Sequence, residues 1–295
     1  MIIVELCVIL PVKALNMKKS LIIILCGTVL LCSCAKEYNA IFKSTSYDYK
    51  YEYAKECFAC GKYERAVMLL QDLVTIMKGT ENGQECLYML AMACYCSKDY
   101  ETAAQYFQKY FQSYPRGTYA EMASFYQGQS LYMSTPEPRL DQTPTMSAIS
   151  AFQDYLDRFP NATLKDVAHS RLYELQDKLV EKELHSAKLY YDLGSYFGNC
   201  TNGGSNYEAC IITAQNAIRD YPYSQRREEF AVLVMKSKFE LAERSIESRR
   251  LDRYRDAEDE CYGFLNEFPD SKYKKTAEKY IEVCKRHTGE VSDDI

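Results

Sequence analysis

The chain has no tryptophan and only three histidines, His169, His185 and His287, far apart in sequence. A histidine-built metal site or a Ser-His-Asp triad is therefore not expected. Glycine (12) and proline (8) are scarce in 295 residues, too few for an all-β protein with many turns. Positive charge is not in surplus: 36 Lys and Arg stand against 41 Asp and Glu, for a net charge of −5. Without a dense basic run, nucleic acid is not the expected partner. The P-loop, GxGxxG, HExxH and GxSxG motifs are all missing. Acidic runs such as Asp256-Ala257-Glu258-Asp259-Glu260 read as solvated helix faces, so a non-enzymatic chain without a bound cofactor is expected. What is present is 47% hydrophobic and 26% charged residues, with 27 Tyr and 12 Phe, which is globular rather than disordered.

The long apolar runs lie at the start. Residues 17–34 read MKKSLIIILCGTVLLCSC: a basic pair, Lys18 and Lys19, then an apolar stretch too short to span a bilayer, then Leu31-Cys32-Ser33-Cys34. This resembles a bacterial lipobox, with lipidation expected at Cys34. Cys32 fits less well, because Leu31 would occupy the position before it, where a small side chain is needed. Residues 1–33 are read as a signal peptide, and 1–16 within it as a mis-called start. The covalent lipid on Cys34 would anchor the chain to the membrane. Ala35 in place of the Asp of an inner-membrane retention signal points to the outer membrane, and the periplasmic face is expected. Residues 34–46 are read as a lipidated tether.

The rest repeats. Tyr114-Pro115, Phe159-Pro160, Tyr221-Pro222 and Phe268-Pro269 share one register. Twelve residues before each Pro stand Ala103, Ala148, Cys210 and Ala257; eight before stand Phe107, Phe152, Ala214 and Cys261. An earlier copy, Gly61-Lys62-Tyr63 with Ala66, lies 37 residues before its counterpart at Tyr100 and Ala103. The pattern resembles the second helix of a tetratricopeptide (TPR) repeat, with the small residue at the helix–helix contact and Pro ending the helix. The expected fold is all-α, a TPR-type helical solenoid of about five helix pairs. They are read at 47–79, 84–116, 118–160, 165–223 and 227–270, with a capping helix at 272–286 and a flexible tail at 287–295. A Pro-rich insert at 134–146 and a Gly/Asn-rich one at 194–206 stretch two pairs. Leu172, Leu175, Leu179 and Leu184 mark an extended helix over 165–193. The same register places Tyr51, Lys55, Phe58, Tyr88, Met92 and Tyr95 on the face built by first helices, with Tyr126 continuing the stripe.

Nine cysteines follow Cys34: 57, 60, 86, 94, 96, 200, 210, 261 and 284. Cys57-Phe58-Ala59-Cys60 is a CxxC. However, Cys57 and Cys94 share a repeat position, and Cys210 and Cys261 occupy packing positions, so small apolar roles are expected rather than redox or metal work.

Arg139-Leu140-Asp141-Gln142-Thr143-Pro144, between the helices of the third pair, resembles an Arg-Asp-Gln-Thr stretch of the BamD family, the TPR lipoproteins of outer-membrane β-barrel assembly. The run from Arg171 through Glu183-Leu184-His185-Ser186-Ala187 to Tyr190-Tyr191, and Phe125-Tyr126-Gln127-Gly128, resemble further family stretches. The resemblance covers most of 34–275. It implies a periplasmic scaffold of the barrel-assembly complex. Residues 47–160 would bind C-terminal segments of unfolded outer-membrane proteins through Tyr51, Lys55, Phe58, Tyr88, Met92, Tyr95 and Tyr126. Residues 161–286 would dock on the periplasmic domain of a BamA-like insertase. Where the family can carry an Arg for that contact this chain has Thr213, so Arg219, Arg226 and Arg227 are the candidates. Two other classes stay open: a periplasmic TPR lipoprotein coordinating envelope growth or division, and a surface lipoprotein binding nutrients.

Overall fold

The computed structural model describes residues 38–196 and 205–289. The expected signal segment, Cys34, Cys200, most of the 194–206 insert and the end of the tail lie outside the described residues. Among the described residues, eleven helices run in sequence after a short helical turn at 38–42. They are α1 (Tyr47–Ala59), α2 (Tyr63–Ile76), α3 (Gly83–Cys96), α4 (Tyr100–Ser113), α5 (Ala120–Met133), α6 (Thr143–Arg158), α7 (Lys165–Leu193), α8 (Asn206–Asp220), α9 (Arg227–Glu243), α10 (Glu247–Glu267) and α11 (Lys274–Thr288). No strand occurs among the described residues. The fold class is all-α and TPR-type, five pairs and a closing helix, as the repeat spacing predicts.

The chain forms two compact units that divide between Ser130 and Leu131, inside α5. In the first, α1 packs on α2, α2 on α3 and α3 on α4, and the first helices α1 and α3 also touch. In the second, each helix from α6 to α11 packs on the next, and α7 touches α9.

Local chemistry explains the punctuation. Tyr114, Phe159, Tyr221 and Phe268 each cap a helix with φ between −135° and −125° and ψ of 63° to 66°. The ring of the following Pro excludes the helical conformation from the residue before it. Each aromatic N–H still donates to the carbonyl four residues back, so the last turn closes. The first two pairs turn differently. Gly61 (φ 73°) and Lys98 (φ 67°) sit at the same repeat position in the left-handed region. Around them Lys62 N–H donates to the Cys57 carbonyl and Asp99 N–H to the Cys94 carbonyl, a Schellman-type closure in both copies. Glycine meets that backbone at no steric cost, whereas Lys98 adopts it with a side chain.

The repeat register is a burial register. Ala103, Ala148, Cys210 and Ala257 are all fully buried, as are Phe107, Phe152, Ala214 and Cys261. In the second unit Val180, Leu184, Ala187, Cys210, Ala214 and Phe230 form one core cluster. On α7, Leu175 and Leu184 are buried but Leu172 and Leu179 only half-buried; Ala168, Val180 and Ala187 complete the stripe. Small residues let the neighbouring helices approach there, which leucine spacing alone does not reveal.

The described part of the expected tether is not free of the fold. A helical turn at 38–42 lies on the first pair, with Ile41 3% exposed. The Arg65 guanidinium is 5.3 Å from the Tyr38 ring centre, and Lys50 Nζ is 5.7 Å from that of Phe42.

Candidate functional site

The first unit carries a continuous aromatic network. Tyr126 on α5 packs at 5.2 Å against Tyr95 on α3 and at 5.7 Å against Phe107 on α4. Tyr88, two turns before Tyr95, meets Phe107 at 5.9 Å and stacks on Tyr119 at 4.5 Å. Tyr88, Met92, Tyr95 and Tyr126 are half-buried, each with part of its surface open. Burial pushes the Tyr88 phenol up to about 12, so it stays neutral. Of the residues singled out in the sequence, the structure brings Tyr88, Tyr95 and Tyr126 into this network, and Met92 lies between the first two on α3. Phe58 stands apart, edge-on to Tyr63 at 5.5 Å.

Tyr51 corrects the sequence reading. It is 2% exposed, and its hydroxyl donates to Glu85 on α3 at 2.8 Å. The ring is interior packing between the first two pairs, and desolvation raises its pKa. Lys55 covers it, with Nζ 5.2 Å from the ring centre. Tyr119 and Glu85 went unnoticed in the sequence. Tyr119 lies ahead of a helix rather than in the repeat register, and Glu85 has no local pattern to mark it.

In the second unit, the insert read as family-specific is tied down by one buried side chain. Gln142 is 2% exposed; its amide donates to the carbonyls of Glu137 (2.7 Å) and Leu140 (3.1 Å) and accepts from Thr145 Oγ1 (2.7 Å). Asp141 accepts from the N–H and the hydroxyl of Thr143, fixing the entry to α6. The insert is also held to α7. Lys178 Nζ donates to Thr135 Oγ1 at 2.6 Å. Just before the insert, Tyr132 donates to Glu174, which pairs with Arg171 at 2.9 Å. That hydrogen bond from Tyr132 is the leading cause holding the Glu174 carboxyl below its usual range.

The three candidate docking arginines are already paired. Arg219 meets Asp220 at 3.0 Å, Arg226 meets Glu229 at 2.7 Å, and Arg227 meets Glu267. Thr213 is half-buried on α8. Exposed pairs of this kind contribute at most about 1 kcal/mol, so an incoming carboxylate competes for each guanidinium at little cost. Beside them is a cleft of about 550 Å³ whose wall includes Tyr173, Val180, Tyr221 and Tyr223. Tyr173 and Tyr223 are 68% and 98% exposed, and the sequence pattern did not single them out.

The cysteines among the described residues are free thiols. Cys57, Cys86, Cys94, Cys210, Cys261 and Cys284 are buried, while Cys60 is exposed. Burial pushes Cys86, Cys94, Cys261 and Cys284 from 9.0 up to about 12. Their neutral form is favoured in the fold, so the stability they contribute is complete below pH 9 and is lost as pH rises towards 12. Among the described cysteines, a thiol reagent at pH 8 should modify Cys60 quickly and those four only on unfolding. Rapid native-state labelling of Cys94 or Cys261, located by peptide mass mapping, would contradict the packing. Among the described residues, no group of three or more His, Cys, Asp or Glu is placed to hold a metal ion.

Successive helix pairs, small residues at the contacts and a half-open aromatic face define a TPR-type repeat protein. The sequence of residues 44–202, more than half the chain, matches the YfiO family of outer membrane lipoproteins, and the chain belongs to that family. The match runs from just before α1 to beyond α7. No curated protein matches the chain. Among the described residues, no helix is long and apolar enough to cross a membrane.

Proposed function

We propose that this outer membrane lipoprotein is the BamD-type scaffold of the β-barrel assembly complex. It is anchored through Cys34 on the periplasmic face and acts without catalysis. Residues 47–160 hold C-terminal segments of unfolded outer-membrane proteins, and residues 161–286 dock on the periplasmic domain of the barrel-forming, BamA-like insertase. The observation that carries this reading is family membership over 44–202, in which the Asp141-Gln142-Thr143 insert is built around a buried, fully engaged glutamine. A loop organised in this way keeps one shape and presents Arg139 and Leu140 outward.

The groove assignment now rests on Lys55, Phe58, Tyr88, Met92, Tyr95 and Tyr126, with Tyr51 supporting them from inside. The final strand of a β-barrel protein alternates apolar and aromatic side chains, and half-open tyrosines offer contact area at low entropy cost. Arg219, Arg226 and Arg227 are the proposed insertase contacts, exchanging their own carboxylates for those of the partner.

Changing Tyr95 and Tyr126 together to Ala should weaken binding of a C-terminal β-barrel peptide by about 2–4 kcal/mol. The measurement is fluorescence anisotropy of the labelled peptide, with circular dichroism to verify the fold. Unchanged affinity in a folded variant would remove the groove from the reading.

A further inference from the structure

Only residues 35–37 separate Cys34 from Tyr38. A chain advances at most about 3.6 Å per residue, so the two Cα atoms are within about 14 Å of each other. Tyr38 is already part of the fold. Its ring lies beside Arg65, burial first and the Asp72 carboxylate least raise its phenol's pKa, and Ile41 is buried. Arg65 and Asp72 are two turns apart on one stripe of α2. Met68 and Ile76 flank the same stripe, three residues after Arg65 and four after Asp72, and are 51% and 46% exposed. The buried residues of α2 are Ala66, Leu69, Leu70 and Leu73, and Leu69 lies on the Arg65–Asp72 stripe, between the two open side chains in sequence. Two large apolar side chains are therefore left open beside the point where the chain runs to its anchor.

We propose that the outer side of α2 lies against the bilayer surface, with Met68 and Ile76 in the boundary between headgroups and acyl chains. The first repeat, and not the acyl chains alone, then makes the membrane contact and fixes which way the first unit faces. The occupant is the bilayer that holds the lipid of Cys34, so the inference rests on that anchor. Lys43 and Lys78 are exposed near the ends of this pair, but Glu64 and Asp72 are exposed too. The contact is therefore apolar rather than a response to anionic lipid.

The absence of tryptophan makes a single introduced Trp a clean reporter. Met68→Trp, Ile76→Trp and, as reference, Arg116→Trp at the exposed turn after α4 are made in the full lipidated protein. Each is reconstituted into phosphatidylethanolamine–phosphatidylglycerol vesicles carrying brominated acyl chains. Positions 68 and 76 are about half-exposed, so the new ring does not disturb the core. Quenching several-fold stronger at 68 and 76 than at 116 is expected. Quenching at 68 and 76 no stronger than at 116, in protein that floats with the vesicles and carries the fatty acid, overturns the proposal and leaves the anchor standing. Protein that lacks the fatty acid overturns both the anchor and the contact.

Discussion

Phe107→Ala is expected to destabilise the first unit by about 3–5 kcal/mol, the range for emptying a fully buried phenylalanine site. Phe107 has no exposed surface and holds Tyr88 on one side and Tyr126 on the other. Its removal therefore loosens the joint between the second pair and the first helix of the third. Neither tyrosine can follow the cavity inward, because Tyr88 is stacked on Tyr119 and Tyr126 is fixed against Tyr95. The half-exposed Met68→Ala should change stability by less than about 0.5 kcal/mol. Urea unfolding of both variants checks the pair. Equal midpoints would mean that the aromatic network is not a structural joint.

Cys34→Ser is expected to abolish membrane attachment altogether. Each methylene buried in the bilayer contributes about 0.8 kcal/mol, and a single acyl chain anchors only marginally, so lasting attachment depends on several chains at one residue. No described helix crosses a membrane to take their place. The substituted protein should appear in the soluble fraction and incorporate no labelled palmitate. Persistent membrane association in high salt, together with palmitate incorporation, would place the lipid on another residue. The contact proposed for Met68 and Ile76 adds orientation, and two side chains at an interface do not replace acyl chains.

The sequence was most informative where one residue type does one job repeatedly. Four aromatic–Pro pairs marked four helix ends, and the small residues twelve positions before them are the buried contacts, because sterics at proline and close helix approach tolerate few alternatives. Gly61 and Lys98 occupy equivalent turns, but only the glycine marks its turn by residue type, since Lys98 adopts the same backbone with a side chain. Side-chain partners were not legible. Tyr51 and Tyr88 occupy equivalent repeat positions, yet Tyr51 is sealed by Glu85 from the next repeat while Tyr88 stays partly open. That difference depends on a neighbour 34 residues away, which no local pattern encodes. The arginines near the α8–α9 turn were visible as charges; Arg219–Asp220 and Arg226–Glu229 are local pairs, whereas the pairing of Arg227 with Glu267, 40 residues on, depends on how two helices meet. Tyr223 follows the helix-ending proline, outside the periodic positions, and its near-complete exposure appears only in the fold.

Membership of the barrel-assembly complex is decided by purifying the native lipoprotein from outer membranes after covalent fixation of its neighbours. A barrel-forming insertase with periplasmic domains is expected in the purified assembly. The insertase should be retained when Tyr95 and Tyr126 are both Ala, and its recovery should fall when Arg219, Arg226 and Arg227 are. Recovery of intact, outer-membrane lipoprotein without any such insertase would contradict that membership.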